Sequence, residues 1–226
     1  WRVTSDQPAG TSGGLPWDRG TVRVVRGEHS LVLGVGQSAG TLRGYAELAD
    51  RAAPAVSDAW DGDWAEQVVV IVPRSLEDMA DLLGSPASSY RGIAAVTTGQ
   101  TGARDDAPAD RIVVNPDAYG GLGSLGRQVV LTHETAHVAT RAHTTAATPL
   151  WLSEGYADWA GYRGTGRTPA QVAPELARAV AGGRVPDALP SDGDFGFTGD
   201  ADALARAYEG GWTACRLIAE EWGEAR

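Results

Sequence analysis

The chain has a single cysteine, and it has no long run of apolar residues. Cys215 has no second cysteine with which to form an intramolecular disulfide, and the apolar pattern around it favours a core position. A membrane-spanning helix needs about 18 or more consecutive apolar residues, and the sequence contains no such run. Basic residues are also few, 19 against 29 acidic ones, which gives a formal charge of −10. This charge argues against nucleic acid and anionic membranes as main partners.

The first 20 residues differ in composition from the rest of the chain. Residues 1–20 are rich in Gly, Ser, Pro and Asp, so we expect an irregular leader or the remnant of a stalk. Because the sequence starts at Trp1 and not at a methionine, we also expect that an N-terminal segment has been removed. Residues 21–226 are long enough for one domain, with an N-terminal lobe of about 21–141 and a helical C-terminal lobe of about 142–226.

Strand and helix patterns alternate along the N-terminal lobe. Thr21–Arg26 and Ser30–Val35 alternate apolar and polar residues and are joined through Gly27-Glu28, which predicts a β-hairpin. A polar loop is predicted at Gly99–Asp110. Three further strands are predicted at Val68–Val72, Ile93–Thr97 and Arg111–Asn115. Two helices are predicted at Leu42–Ala59 and Ser75–Leu83. Strands and helices in this mixture predict an α+β fold.

The segment His133-Glu134-Thr135-Ala136-His137 places two imidazoles four residues apart. Apolar residues at mostly helical spacing from Leu125 to Val138 predict a helix here, so both rings lie on one face and can reach one cation. Glu134 projects about 100° away round the helix, where its carboxylate can touch a water on that cation. The pattern is a signature of zinc-dependent peptidases and predicts a site for one zinc ion.

A hydrolytic zinc site has three protein ligands and one open position, so the two histidines need a third ligand. His143 is one candidate, because it follows His137 at the spacing of the metzincin peptidases. That family has a glycine where this chain has Thr140, and its methionine turn is missing, since Met79 lies upstream of the motif. His143 stays open as a ligand and is the weaker of two candidates.

Glu154 is the other candidate. It lies in an amphipathic segment that Pro149 opens and Gly161 closes, which predicts a second helix. If this helix runs antiparallel to the first, Glu154 can point at the metal. Asp158 follows one turn later on the same face, where a carboxylate can hold the ring N–H of a ligating histidine and fix its tautomer.

Two motifs together resemble a known family. The His-Glu-x-x-His helix followed by Trp151-Leu152-Ser153-Glu154-Gly155-Tyr156-Ala157 resembles the gluzincin-type zinc metallopeptidases of the peptidase MA-like family, related to thermolysin and the gluzincin aminopeptidases. Ala207-Tyr208-Glu209-Gly210-Gly211 is similar to the Tyr-Glu-x-Gly segment that precedes a helix in those aminopeptidases. The resemblance runs from about residue 60 to the end. It implies a zincin-like fold, in which a mixed β-sheet lobe with the active-site helix is followed by a helical lobe. It also implies that the Tyr208 hydroxyl stabilises the tetrahedral intermediate.

These features predict a zinc-dependent peptidase. Zinc bound by His133, His137 and Glu154 would lower the pKa of its water towards about 7, and Glu134 would act as the general base. The alternative is a zinc-containing binding or scaffold domain of the same fold without significant peptidase activity. Hydrolysis of a non-peptide amide or ester would use the same site.

The expected partner is a peptide or protein substrate. In a zincin-like fold the strand just before the active-site helix would be the edge strand facing the cleft, so Val113 and Asn115 are predicted to bind substrate by strand addition. A processed start and a zinc peptidase motif together favour an extracellular or cell-envelope location, and whether the removed segment was an anchor stays open. The sequence does not fix the oligomeric state.

Overall fold

The computed structural model describes residues 15–99, 110–196 and 200–224. Within these ranges the chain forms a mixed sheet of β1 (Val22–Arg26), β2 (Ser30–Val35), β3 (Val68–Val72), β4 (Ala95–Thr98) and β5 (Arg111–Val114). The helices are α1 (Ala39–Ser57), α2 (Leu76–Leu83), α3 (Pro116–Gly120), α4 (Ser124–Thr140), α5 (Leu150–Tyr162), α6 (Pro169–Val172), α7 (Pro174–Ala181) and α8 (Ala201–Trp222). The predicted α+β class is confirmed. Of the helices in the described ranges, none has the length and apolar character to cross a membrane.

The sheet has the strand order β1-β2-β3-β5-β4. β1 and β2 form the predicted antiparallel hairpin, with Val22 opposite Val35. β2, β3 and β5 run parallel, and β4 returns antiparallel beside β5. The predicted strand Val68–Val72 is confirmed, while β4 lies slightly later in the chain than predicted.

Two predicted irregular segments lie largely outside the described residues. Of the predicted leader, residues 1–14 are outside, and Pro16–Arg19 forms one 3₁₀ turn. Arg19 Nη2 lies 2.7 Å from Asp81 Oδ2 on α2, so this turn is tied to the folded domain. Of the predicted polar loop between β4 and β5, residues 100–109 are outside.

The predicted edge position of Arg111–Asn115 is wrong. β5 lies between β3 and β4, and β4 is the edge strand on this side of the sheet. The physical reason is that an interior strand is buried on both faces of the sheet, and the apolar run of β5 suits such a position. The Val113 side chain packs in the apolar cluster on the sheet face that α2 covers. The Asn115 side chain is fully buried, where it accepts the N–H groups of Asp117 and Ala118 at the start of α3. Neither residue is therefore at an edge where a peptide could pair.

Different helices cover the two faces of the sheet. α1 and α4 pack on one face around a core of apolar side chains: Val32, Leu42, Tyr45, Ala46, Val70, Ile112, Val114 and Leu131. On the other face, Met79 of α2 packs in one cluster with Ile71 and Val113. Successive residues of β3 point to opposite faces, so Val70 and Ile71 belong to different clusters. The predicted helix Ser75–Leu83 is confirmed, with the Ser75 hydroxyl accepting the N–H of Asp78 as a cap.

The helical part of the chain is built around α5, which packs between α4 and α8. Two glycines allow this close packing. A Cβ on Gly155 would lie 2.3 Å from the carbonyl carbon of Gly211 on α8, and a Cβ on Gly161 would lie 3.0 Å from the Val129 carbonyl oxygen on α4. Gly161 was predicted to close the second helix, but α5 continues to Tyr162 because this glycine faces the backbone of α4.

The predicted start of the last helix after Tyr208-Glu209-Gly210-Gly211 is also wrong. α8 begins at Ala201 and runs without interruption through both glycines, so Tyr208 lies in the middle of a helix. Asp200 caps its start by accepting the N–H of Ala203. Gly211 has a packing role, since a Cβ there would lie 2.7 Å from the Trp151 carbonyl oxygen. The free energy of close helix packing here outweighs the weak helix propensity of glycine.

Candidate metal centre

The two histidines of the His-Glu-x-x-His segment lie one turn apart on α4. Their ring centroids are 4.7 Å apart, and the Nε2 atoms of His133 and His137 are separated by 3.1 Å. The predicted helix is confirmed as α4. Side chains four residues apart lie on the same face of a helix, so the two imidazoles lie together. Two imidazole nitrogens thus converge on one point beside the helix.

α5 supplies a third donor atom to this point. Glu154 Oε2 lies 3.3 Å from His133 Nε2 and 3.4 Å from His137 Nε2. The three side chains form a cluster that could hold a metal ion, and each is partly buried. We call His133 Nε2, His137 Nε2 and Glu154 Oε2 the ligand triangle.

The dimensions of the ligand triangle fit a tetrahedral ion. Ligand atoms about 2.0–2.1 Å from a tetrahedral ion lie about 3.3–3.4 Å from one another. The observed separations of 3.1, 3.3 and 3.4 Å are close to this value. A triangle of this size has a circumradius of about 1.9 Å, so an ion at about 2.0–2.1 Å from each atom sits just above its plane. One tetrahedral position then stays open for water or substrate.

Asp158 fixes the orientation of His133. The Nδ1–H of His133 donates to Asp158 Oδ1 at 2.8 Å, which turns the Nε2 lone pair towards the ligand triangle. Asp158 lies one turn after Glu154 on the same face of α5, so two carboxylates reach the two nitrogens of one ring. The structure brings Asp158 to the position that the sequence predicted.

The electrostatics of the cluster favour a positive charge between its side chains. Burial alone would lower the pKa of His133, but the carboxylates of Asp158, Glu154 and Glu134 raise this pKa well above its ordinary value. Burial alone would raise the pKa of Glu154, but hydrogen bonds with His133 and His137 hold this pKa well below its usual range. The same carboxylates would stabilise a bound cation.

Glu134 is buried beside the ligand triangle and is not part of it. Its Oε2 accepts a hydrogen bond of 2.6 Å from the Thr97 hydroxyl on β4. The sequence alone does not point to Thr97, because its contact with Glu134 depends on how the edge strand lies against α4. The one available signal was strand alternation, which places the side chains of Ala95 and Thr97 on the same face of β4.

Tyr208 reaches the same cleft from α8. Its side chain lines a cavity together with Glu134 and Glu154, and its ring packs edge-on against Phe195 at 5.2 Å. Burial raises the pKa of the Tyr208 hydroxyl, and the negative charges of Glu154, Asp158 and Glu134 raise it further. The hydroxyl therefore keeps its proton at neutral pH and can donate a hydrogen bond.

His143 lies away from the ligand triangle. It belongs to the 3₁₀ turn Arg141–His143 that follows α4, and its ring packs edge-on against Trp60 at 5.3 Å. It is not a member of the cluster that could hold a metal ion, whereas Glu154 is. Of the two candidates for third ligand, the geometry favours Glu154.

Two cavities open beside the ligand triangle. One of about 460 Å³ follows the edge strand past Val96 and Thr97. The other, of about 480 Å³, lies between α4 and α8. Both are lined by His133 and Glu134, so the cluster stands where the two cavities meet. Cavities of this size can hold amino-acid side chains.

Neither a protein-family model nor a curated protein nor a solved structure matches this chain.

Proposed function

We propose that this protein is a zinc-dependent peptidase of the gluzincin type, with His133, His137 and Glu154 as the zinc ligands. The observation that carries the proposal is the ligand triangle, whose three separations suit a tetrahedral ion with one open position. Two imidazoles and one carboxylate suit zinc better than magnesium or calcium, which prefer oxygen ligands. A sheet lobe that carries α4, followed by a helical lobe, is consistent with a zincin-like fold.

The residues around the triangle have separate tasks in peptide hydrolysis. Bound zinc acts as a Lewis acid and lowers the pKa of water in the site. Glu134 takes the proton of the water that attacks the carbonyl carbon, and returns it to the leaving amine. The Tyr208 hydroxyl donates to the carbonyl oxygen as negative charge develops on it. Asp158 keeps the Nδ1 proton of His133 in place, so that Nε2 stays a ligand.

The edge strand β4 provides a place for an extended substrate. Among the described residues, β4 pairs only with β5, so the backbone groups on its outer side have no strand partner. An extended peptide can bind such an edge by adding a strand. Thr97 on this strand contacts Glu134, so a peptide along β4 would pass beside the base. β4 therefore takes over the docking role that the sequence had assigned to the strand of Val113 and Asn115.

Metal analysis and a peptide library test this proposal together. We expect the purified protein to hold about one zinc ion per chain and to cleave members of a diverse peptide library. A chelator should abolish cleavage, and added zinc should restore it. Protein that neither contains nor takes up zinc would contradict the metal site. Protein that binds zinc at the triangle yet cleaves no peptide would instead support a binding or scaffold domain.

A further inference from the structure

The proposed base has a hydrogen-bond partner outside its own motif. The Thr97 hydroxyl lies 2.6 Å from Glu134 Oε2 and 3.0 Å from the backbone oxygen of the same residue. A hydroxyl has one proton to donate, so one of these two oxygens is the main acceptor. The carboxylate contact is the shorter of the two, and hydrogen bonds to ionised acceptors are the stronger kind. The Thr97 hydroxyl therefore donates its hydrogen bond mainly to the Glu134 carboxylate.

The surroundings of Glu134 make this contact important for its orientation. A glutamate side chain has several rotatable bonds, and its terminal torsion is soft, with two equivalent oxygens. Glu134 is only 7% exposed, so few waters are available to fix that torsion. Thr97 approaches from the edge strand, while the ligand triangle lies on the side of α4 and α5. Oε2 is thus held by Thr97, while the Glu134 side chain lines both cavities beside the ligand triangle.

We propose that Thr97 is a positioning residue for the base: its hydroxyl holds Oε2 of Glu134 and leaves Oε1 to move the proton. This inference rests on the proposed peptidase function. It also links two parts of the site, because the strand that would bind the peptide is the strand that orients the base. Thr97 is not part of the ligand triangle, so its effect is expected in turnover and not in metal binding.

Steady-state kinetics with three variants test the role in turnover. Thr97→Val keeps the shape of the side chain and removes the hydroxyl, so kcat should fall about 10-fold or more with KM within about twofold. Thr97→Ser keeps the hydroxyl and should stay within about threefold of wild-type kcat. Thr140→Val is the control, since it removes a partly buried hydroxyl that bonds the Ala136 carbonyl on α4. It should leave kcat unchanged, and all three variants should keep one zinc.

Two kinetic results would overturn the inference. One is a Thr97→Val enzyme whose kcat lies within about twofold of wild type. The other is a Thr97→Ser enzyme that loses as much activity as Thr97→Val, because serine retains the donor. Either result would leave the proposed peptidase function standing, since the wild-type enzyme cleaves peptide in both.

A double-mutant cycle in chemical unfolding tests the same contact without any activity assay. Zinc-loaded Thr97→Val should lower the unfolding midpoint in the wild-type background and much less in a Glu134→Ala background, where the carboxylate is gone. The backbone oxygen of residue 134 remains in that background. An equal loss in both backgrounds would therefore show that Thr97 merely ties β4 to α4, which overturns the inference. Coupling together with a wild type that cleaves no peptide would overturn the peptidase function, and the role in turnover with it.

Discussion

Replacing Gly155 by alanine should destabilise the protein and disturb the metal site together. Gly155 lies on α5 next to Glu154, where α5 crosses α8. A Cβ at this position would lie 2.3 Å, 2.4 Å and 2.8 Å from the carbonyl carbon, carbonyl oxygen and Cα of Gly211. All three atoms belong to the main chain, so no side chain can rotate away. The two helices must separate, and Glu154 must move with α5.

The size of the effect follows from these distances. Carbon atoms normally approach to about 3.5–4.0 Å, so the helices must separate by roughly 1 Å. Overpacking costs about 1–3 kcal/mol, and main-chain obstruction places this case near 3 kcal/mol. Alanine gains about 1 kcal/mol over glycine in helix propensity, which leaves a net loss of about 2 kcal/mol. For a domain of this size, that loss lowers Tm by about 4–8 °C.

Thermal unfolding with a matched glycine variant checks this reasoning. Gly44 lies inside α1 with no atom within 4 Å of an added Cβ, so Gly44→Ala should gain helix propensity and raise Tm by about 2–4 °C. Gly155→Ala should move Tm in the opposite direction and weaken zinc binding by roughly 10-fold or more, since ligand distances tolerate only about 0.2 Å. A Gly155→Ala protein as stable as Gly44→Ala, with unchanged zinc affinity, would refute the close helix crossing.

Three further predictions concern single side chains of the site. Glu154→Ala should severely weaken zinc binding, while His143→Ala leaves it nearly unchanged; isothermal titration with zinc measures both, and the reverse ranking would favour a metzincin-like ligand set. Glu134→Gln should retain about one zinc by metal analysis and lower peptide turnover by about 100-fold or more, because it removes the base but not a ligand. Unchanged turnover would assign the base elsewhere. Tyr208→Phe should lower kcat by about 10²–10³-fold with little change in KM, because it removes a hydrogen bond to the developing oxyanion. A kcat within threefold of wild type would assign that role to another donor.

The parts of the site that could be predicted from sequence depend on local geometry. His133 and His137 share a face of α4 because residues four apart always do so on a helix. The same rule places Glu154 and Asp158 together on α5. Hydrophobic periodicity with helix-start signals such as Ser75 and Pro149 also located α1, α2, α4 and α5 to within a few residues.

The parts that could not be predicted depend on contacts between distant segments. The position of β5 inside the sheet depends on which strands it pairs with. A short apolar run predicts a strand but does not indicate its place in the sheet. Thr97 and Glu134 are separated by 37 positions along the chain, so their contact leaves no periodic signal. The family resemblance predicted that the strand just before α4 lies at the sheet edge. In the structure that strand is β5, and the edge strand is β4.

Glycines in the helical lobe allow close helix packing, although glycine more often marks the end of a helix. Sequence rules treat glycine as a helix breaker, and on that basis Gly161 was predicted to end the second helix. The family resemblance placed Gly210-Gly211 in a segment that precedes a helix. In the structure Gly161 lies inside α5 and Gly210-Gly211 lies inside α8, and an added Cβ would meet the backbone of a neighbouring helix at Gly161 and at Gly211. Gly161 lets α5 approach α4, and Gly211 lets α8 approach α5.

The position of α5 in turn determines whether the ligand triangle exists. α4 alone brings two imidazoles together, and a third donor arrives only if α5 lies close enough for Glu154 to reach both. Asp158 on the same helix reaches the far nitrogen of His133, so one displacement of α5 would disturb both contacts. Glycines that face other helices set that separation, because every added Cβ would push the helices apart. The candidate metal centre therefore depends on glycines at the helix crossings as well as on the three residues that could hold an ion.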